Sequence, residues 1–280
     1  MKKIAIPIDY TGITQEVIAY LAAFCRDFPV SEIVLIKSFH QPSIIEKTFA
    51  IPGIVGTAIE QPFLDWETEE TTLKTIAGEM IRAFPVHMQI STRMLEGTLI
   101  EVVETTLETE RPDLLIIIND AKSADSDRLI AGSIIPIAQM STVPVLLLPF
   151  TVVYKPVNRV LIPTTFQNLR RLENFKKLCQ SHIWLNAKIF ILNLDLNDHN
   201  VHHDPENSAL LASYLDGYHF QIVYSKGKDV AAEILHFAAE IEAQVIFALP
   251  GQHSSWHTLL YGSTTQRFAL ESNYPVLLLK

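Results

Sequence analysis

Short apolar runs rich in β-branched residues lie near 2–9, 32–39, 87–94, 113–119 and 143–149. Leu114-Leu115-Ile116-Ile117-Ile118 carries no polar alternation, which predicts a strand covered on both faces, as in a parallel sheet. Between the runs, apolar residues recur every three to four positions. That period predicts helices over 14–27, 67–83, 98–110 and 132–141. In the third of these, Leu99, Val102, Val103 and Leu107 share one stripe. Further runs near 159–164, 188–195, 219–225, 244–249 and 275–279 read as strands. Strands alternating with helices imply parallel sheets joined by right-handed crossovers.

The pattern occurs twice. Glu96-Gly97 and the residues up to Ile118 match Lys226-Gly227 and its successors 130 residues on, without a gap. The same offset carries Gly132-Ser133 onto Gly262-Ser263, so the glycine spacing of 35 is kept in both halves. One residue of slip carries Pro144–Leu148 onto Pro275–Leu279. Lys3-Ile4-Ala5-Ile6-Pro7 matches Arg159-Val160-Leu161-Ile162-Pro163 at an offset of 156. The first half therefore holds 26 additional residues between Pro7 and Gly97. The stretch 41–66, with Pro42, Pro52, Gly53, Gly56 and Pro62, reads as that irregular insertion. Two domains are expected, 1–150 and 157–280. The short joint Phe150–Val157 predicts that they pack closely.

Each half resembles a universal stress protein domain, and the whole chain resembles a tandem member of that family. The carriers are Ile6-Pro7-Ile8-Asp9 closing the first strand, the Gly97 joint, the Asp113 strand, Gly132-Ser133 and Pro144-Val145-Leu146-Leu147-Leu148. The resemblance implies an α/β fold of two five-stranded, Rossmann-like parallel-sheet domains. It further implies that 144–148 and 275–279 meet, making the halves an intrachain pseudo-dimer.

The resemblance also implies where a nucleotide would sit. Nucleotide-binding members use an Asp after the first strand and a loop of the form G-x2-G-x9-G-(S/T) after the fourth. Glycines let the backbone approach phosphate, and a helix start favours an anion. In the first half Pro7 and Asp9 match the first feature, and Gly132 and Ser133 match the loop's end. Asn119 and Lys122 stand at the two earlier glycine positions, and Arg128 lies in the loop. Asp120, Asp125 and Asp127 share that loop, a balance that suits a triphosphate only with a bound cation. In the second half Thr164-Thr165 replaces the Asp. Gly262 and Ser263 remain, Gly251 is one residue out of place, and no Lys or Arg occurs between Lys228 and Arg267. Both loops thus read as degenerate, the second more than the first.

The remaining chemistry is sparse. Asp198, His199, His202, His203 and Asp204 have metal-ligand types but read as a solvated loop. His253 and His257 have i, i+4 spacing without a neighbouring Glu, so no metal is expected there. Cys25 and Cys179 read as buried small residues late in the first helix of each half. An excess of acids, 31 against 22 bases, argues against nucleic-acid binding. No run is long enough to span a bilayer, and two cysteines suit a reducing cytoplasm.

No reaction motif is found. An adenylating or ATP pyrophosphatase-like enzyme would need a Ser-Gly-Gly type loop where Asp9-Tyr10-Thr11-Gly12 stands. The expectation is a non-enzymatic stress-response or regulatory protein that senses a ligand or binds a protein partner, with further homodimerisation left open. Two alternatives stand beside it. One is an ATP or adenine-nucleotide binder through the first domain. The other is a small-ligand binder through the second, with His253, Trp256 and Tyr261 lining the cavity.

Overall fold

The computed structural model describes residues 2–8, 13–39, 65–119, 130–164, 169, 172, 186–194, 205–225, 229–248 and 272–280. The first half contains β1 (Lys3–Pro7), α1 (Gln15–Asp27), β2 (Glu32–Phe39), α2 (Trp66–Ala83), β3 (Gln89–Glu96), α3 (Leu99–Glu110), β4 (Leu114–Asn119), α4 (Ile130–Met140) and β5 (Val145–Pro149). The second contains β6 (Arg159–Thr164), β7 (Lys188–Asn193), α5 (Pro205–Tyr214), β8 (His219–Tyr224), α6 (Val230–Glu240), β9 (Val245–Ala248) and β10 (Val276–Leu278). The elements follow the sequence pattern, with ends moved by up to two residues. Asp65 and Trp66, read as the end of the insertion, cap and open α2. Residues 40–64 lie outside the described residues.

Local chemistry sets the helix starts. Thr14 accepts from the Val17 amide at α1, and Asp65 accepts from the Thr68 amide at α2. At α3, Thr98 and Glu101 form a reciprocal capping box. Gly97 precedes it at φ 131°, a backbone region closed to most L side chains. A Cβ there would also stand 3.1 Å from the Glu101 carboxylate, the group that closes the box. This position therefore requires glycine.

The ten strands among the described residues form one sheet in the order β3-β2-β1-β4-β5-β10-β9-β6-β7-β8. The two halves of that order are mirror counterparts, each with the sequence 3-2-1-4-5 outward to inward. Every pairing is parallel except β5 with β10, where Leu147 faces Val276, Leu146 faces Leu277 and Val145 faces Leu278. The expected meeting of the closing strands is thus present. The sheet is covered on both faces. One face packs against α1, α2 and α5, the other against α3, α4 and α6.

The registers correct one detail of the repeat. Pro7 pairs with Ile36 and Pro163 with Leu192, which keeps the offset of 156. Ile36 pairs with Arg93 and Leu192 with Val223, which keeps 130. But Ile4 pairs with Leu114 and Val160 with Val245, an offset of 131, not 130. The helix caps Thr98 and Asp229 are displaced equally. The additional residue therefore enters before α6, not after Gly262. A strand buried on both faces carries no alternation, so its apolar pattern is blind to a one-residue slip.

The seam is reinforced from both sides. The Lys280 ammonium donates to the Ala138 carbonyl near the C-terminal end of α4, where a cation is favoured. In the joint between the halves, the Tyr154 hydroxyl donates to Asp27, and its ring meets Tyr20 edge-on at 5.2 Å. Leu147 and Leu278 are each 2% exposed. Replacing both with Lys buries two ammonium groups at the seam. The double variant is expected to be cut faster by thermolysin than the parent; unchanged resistance would count against the seam.

Candidate functional site

In an open parallel sheet, ligands settle outside the carboxyl ends of strands where the strand order reverses. That reversal falls between β1 and β4 in the first half, and between β6 and β9 in the second. The hydrogen-bond registers show the sheet opening there. β1 pairs with β4 only at Ile4 and Ala5, although β1 runs to Pro7 and β4 to Asn119. On their outer sides both strands stay paired to the end, Pro7 with Ile36 and Asn119 with Pro149. The same split separates β6 from β9 beyond Leu161 and Ile246. Because β5 and β10 are antiparallel, the two splits open toward opposite ends of the sheet.

Pro7 supplies no N–H at the lip of the first split, and the ladder resumes when the Ile8 amide donates to Ile36 at 2.7 Å. Asn119 forms the facing lip. It is buried, and its carbonyl accepts from the Phe150 amide at 3.0 Å. α4, expected from residue 132, begins at Ile130, so Gly132 and Ser133 are its third and fourth residues. They remain in the first turn, where a helix concentrates its positive end. The structure thus brings Pro7 and Asn119 to one gap, with Gly132 and Ser133 opening the helix that follows β4. In the second half Thr164 stands at the corresponding end of β6, buried, its carbonyl accepting from the Leu194 amide at 3.0 Å. Asp9, Lys122, Arg128, Gly251, Gly262 and Ser263 lie outside the described residues. So do the insertion from 41 to 64, the cluster from Asp198 to Asp204, His253, Trp256, His257, Tyr261 and Cys179.

Asp113 belongs to the opposite end of β4. Burial works against its charge, yet the amides of Lys2 and Lys3, at 2.6 and 3.0 Å, hold its carboxyl below the usual range. Lys3 also pairs with Glu110 and Glu32, and Glu110 with Arg93. Lys3, Glu32 and Asp113 tie the amino ends of β1, β2 and β4 together, away from the split.

Two polar residues within strands escaped the sequence reading. Lys37 on β2 is 3% exposed and pairs with Glu69 of α2. Asn193 on β7 is 1% exposed, and neither its amide nitrogen nor its amide oxygen has a hydrogen-bond partner among the described residues. Leaving such groups unpaired costs about 1–3 kcal/mol each. The available signal was a polar residue directly after an apolar run, in Val34-Leu35-Ile36-Lys37 and in Ile189-Phe190-Ile191-Leu192-Asn193.

No family model matches the chain, and no curated protein matches it. Solved structures do. A universal stress protein from Archaeoglobus fulgidus DSM 4304 aligns at a TM-score of 0.69 and 18% identity, covering 99% of this chain and 96% of that one. A protein of unknown function from Pseudomonas aeruginosa PAO1 aligns at 0.62 and 12% identity, covering 100% and 92%. A further chain from Pseudomonas aeruginosa UCBPP-PA14 aligns at 0.57 and 14% identity, covering 100% and 93%. At these identities the likeness is one of fold, and the fold is that of the universal stress protein structures.

Cys25 is packed in the α1 face of the core, and burial pushes its thiol up to about 12. The neighbouring Arg26 does not offset this. At pH 8 the thiolate is then about one part in ten thousand. In a Cys179→Ser background, Cys25 is expected to stay silent to Ellman's reagent until the protein is unfolded. The same shift makes stability fall as pH rises from about 9 toward 12, because only the unfolded thiol ionises in that window. Rapid native labelling at pH 8 would contradict the burial.

Proposed function

We propose that this chain is a non-enzymatic regulatory protein of the universal stress type, built of domains 1–150 and 157–280. It senses a small anionic ligand in the first-half split and signals occupancy through partner binding. The observation that carries this reading is the early parting of β1 from β4. It opens a gap at the strand ends where Pro7 and Asn119 stand. In the sequence Asp9 follows the first lip, and Lys122 and Arg128 follow the second. An adenine nucleotide with a divalent cation suits this set. The cation offsets Asp120, Asp125 and Asp127, Lys122 and Arg128 meet phosphate, and the first turn at Gly132 and Ser133 adds its dipole.

The second split has the same geometry, but its sequence lacks cations between Lys228 and Arg267. It therefore does not hold a triphosphate in the same manner. A change in the first half reaches the second by a direct path, since β4 pairs with β5 and β5 with β10. The low cysteine content supports a reducing compartment for this reading, and the excess of acids supports a partner other than nucleic acid.

Calorimetric titration with millimolar Mg-ATP is expected to give a saturable heat in the parent chain. Gly132→Val puts a branched side chain in the first turn of α4 and is expected to abolish that heat while leaving far-ultraviolet dichroism unchanged. A parent chain without heat would end the nucleotide reading.

A further inference from the structure

Side chains on a strand alternate between faces. Val160 and Ile162 of β6, and Ile189 and Ile191 of β7, belong to the core on the α5 face; Phe220 and Ile222 of β8 pack against it. By the same alternation Thr164, Asn193 and Tyr224 lie on that face. The register sets them side by side, Thr164 beside Asn193 and Asn193 beside Tyr224. They form one row across the carboxyl ends of three strands. At ~4.8 Å between strands, the row spans roughly 10 Å.

The first half has the corresponding row. There Lys37 pairs with Met94 in the register, and Ile8 follows β1 on the same face. Its one polar member is closed by Glu69 of α2. The second half has replaced apolar neighbours with a hydroxyl and a phenol, and the lysine with an amide. That amide is 1% exposed and without a partner among the described residues, whereas Tyr224, at the sheet edge, is 38% exposed. The polar row therefore runs inward from the edge to an unsatisfied donor and acceptor.

We propose that this row is a second binding site, for a small uncharged molecule whose edge presents a hydrogen-bond donor beside an acceptor, as a carboxamide or pyrimidine edge does. Asn193 reads that edge with both ends of its side-chain amide. The ligand is neutral because none of the three side chains carries a charge to match a buried ion. The row lies on the face opposite α6. It is in the other half from the split proposed for nucleotide, so the two readings stand or fall separately.

The test is ligand-observed saturation-transfer NMR on the full chain with millimolar uracil. 1,3-Dimethyluracil, which keeps the acceptors and loses the donors, is the control. The parent is expected to transfer saturation to uracil and not to the dimethyl compound. Asn193→Leu is expected to weaken uracil binding at least about tenfold, the loss of one to two hydrogen bonds. The same substitution should raise Tm without ligand, since it removes an unpaired polar group. Asn193→Ser, smaller and still polar, should also lose the transfer and serves if the Leu variant does not fold. Absent transfer in the parent, equal transfer in parent and variants, or equal transfer to dimethyluracil would each overturn the proposal. So would a lower Tm in a folded Asn193→Leu chain, which would mean that the amide is already satisfied.

Discussion

The antiparallel contact between β5 and β10 is the constraint on which the rest of the structure depends. Each half alone would present β5 or β10 as an open inner edge, with unpaired amides and a run of leucines facing water. Joined, the two edges vanish. Both hydrophobic layers then run across the seam, Leu146 and Leu277 in one and Leu147 and Leu278 in the other. The remaining edges, β3 and β8, are only partly apolar; β3 carries Gln89, Arg93 and Glu96, and β8 carries His219 and Gln221.

The same contact fixes the geometry of function. Strands within a half are parallel, so each half has one edge at which its strands end. The antiparallel seam turns these edges to opposite ends of the sheet. No single ligand bridges the two splits. The paired strands β4, β5, β10 and β9 form a continuous buried, hydrogen-bonded connection between them.

Most of this architecture was legible in the sequence because it follows from periodicity. Runs such as Leu114–Ile118 announce a strand buried on both faces, and the stripe from Leu99 to Leu107 announces α3. Repetition of the pattern announces the doubled sheet, and the matching closing runs announce the seam. The one-residue shift at β9 was not legible, because Val245-Ile246-Phe247-Ala248 reads equally well one position either way. Nor was the start of α4: Gly132 marked it in the sequence, but the helix begins at Ile130. For the candidate site, the sequence names Pro7 and Asn119 as residues of the strand ends, whereas the split itself was invisible, since hydrogen-bond register leaves no mark on composition. Lys37 and Asn193 were passed over for a related reason. Periodicity weighs a face as a whole, and a single polar residue hardly changes its sum.

The two halves show what a repeated topology leaves free. Packing demands apolar residues at the central strand positions of both, and there the halves agree, as Ile4, Ala5 and Ile6 of β1 do with Val160, Leu161 and Ile162 of β6. Polar positions inside the core carry no such demand once each is satisfied in some way. The first half satisfies the position at Lys37 internally: a buried lysine is tolerable because Glu69 stands beside it. At Asn193 the second half carries no charge, and so needs no partner carboxylate, but its side chain has both donor and acceptor capacity. An apolar residue there would be more stable, because it leaves nothing unpaired. The retention of an amide at a position where the fold does not need one places the divergence of the halves in their chemistry rather than in their packing.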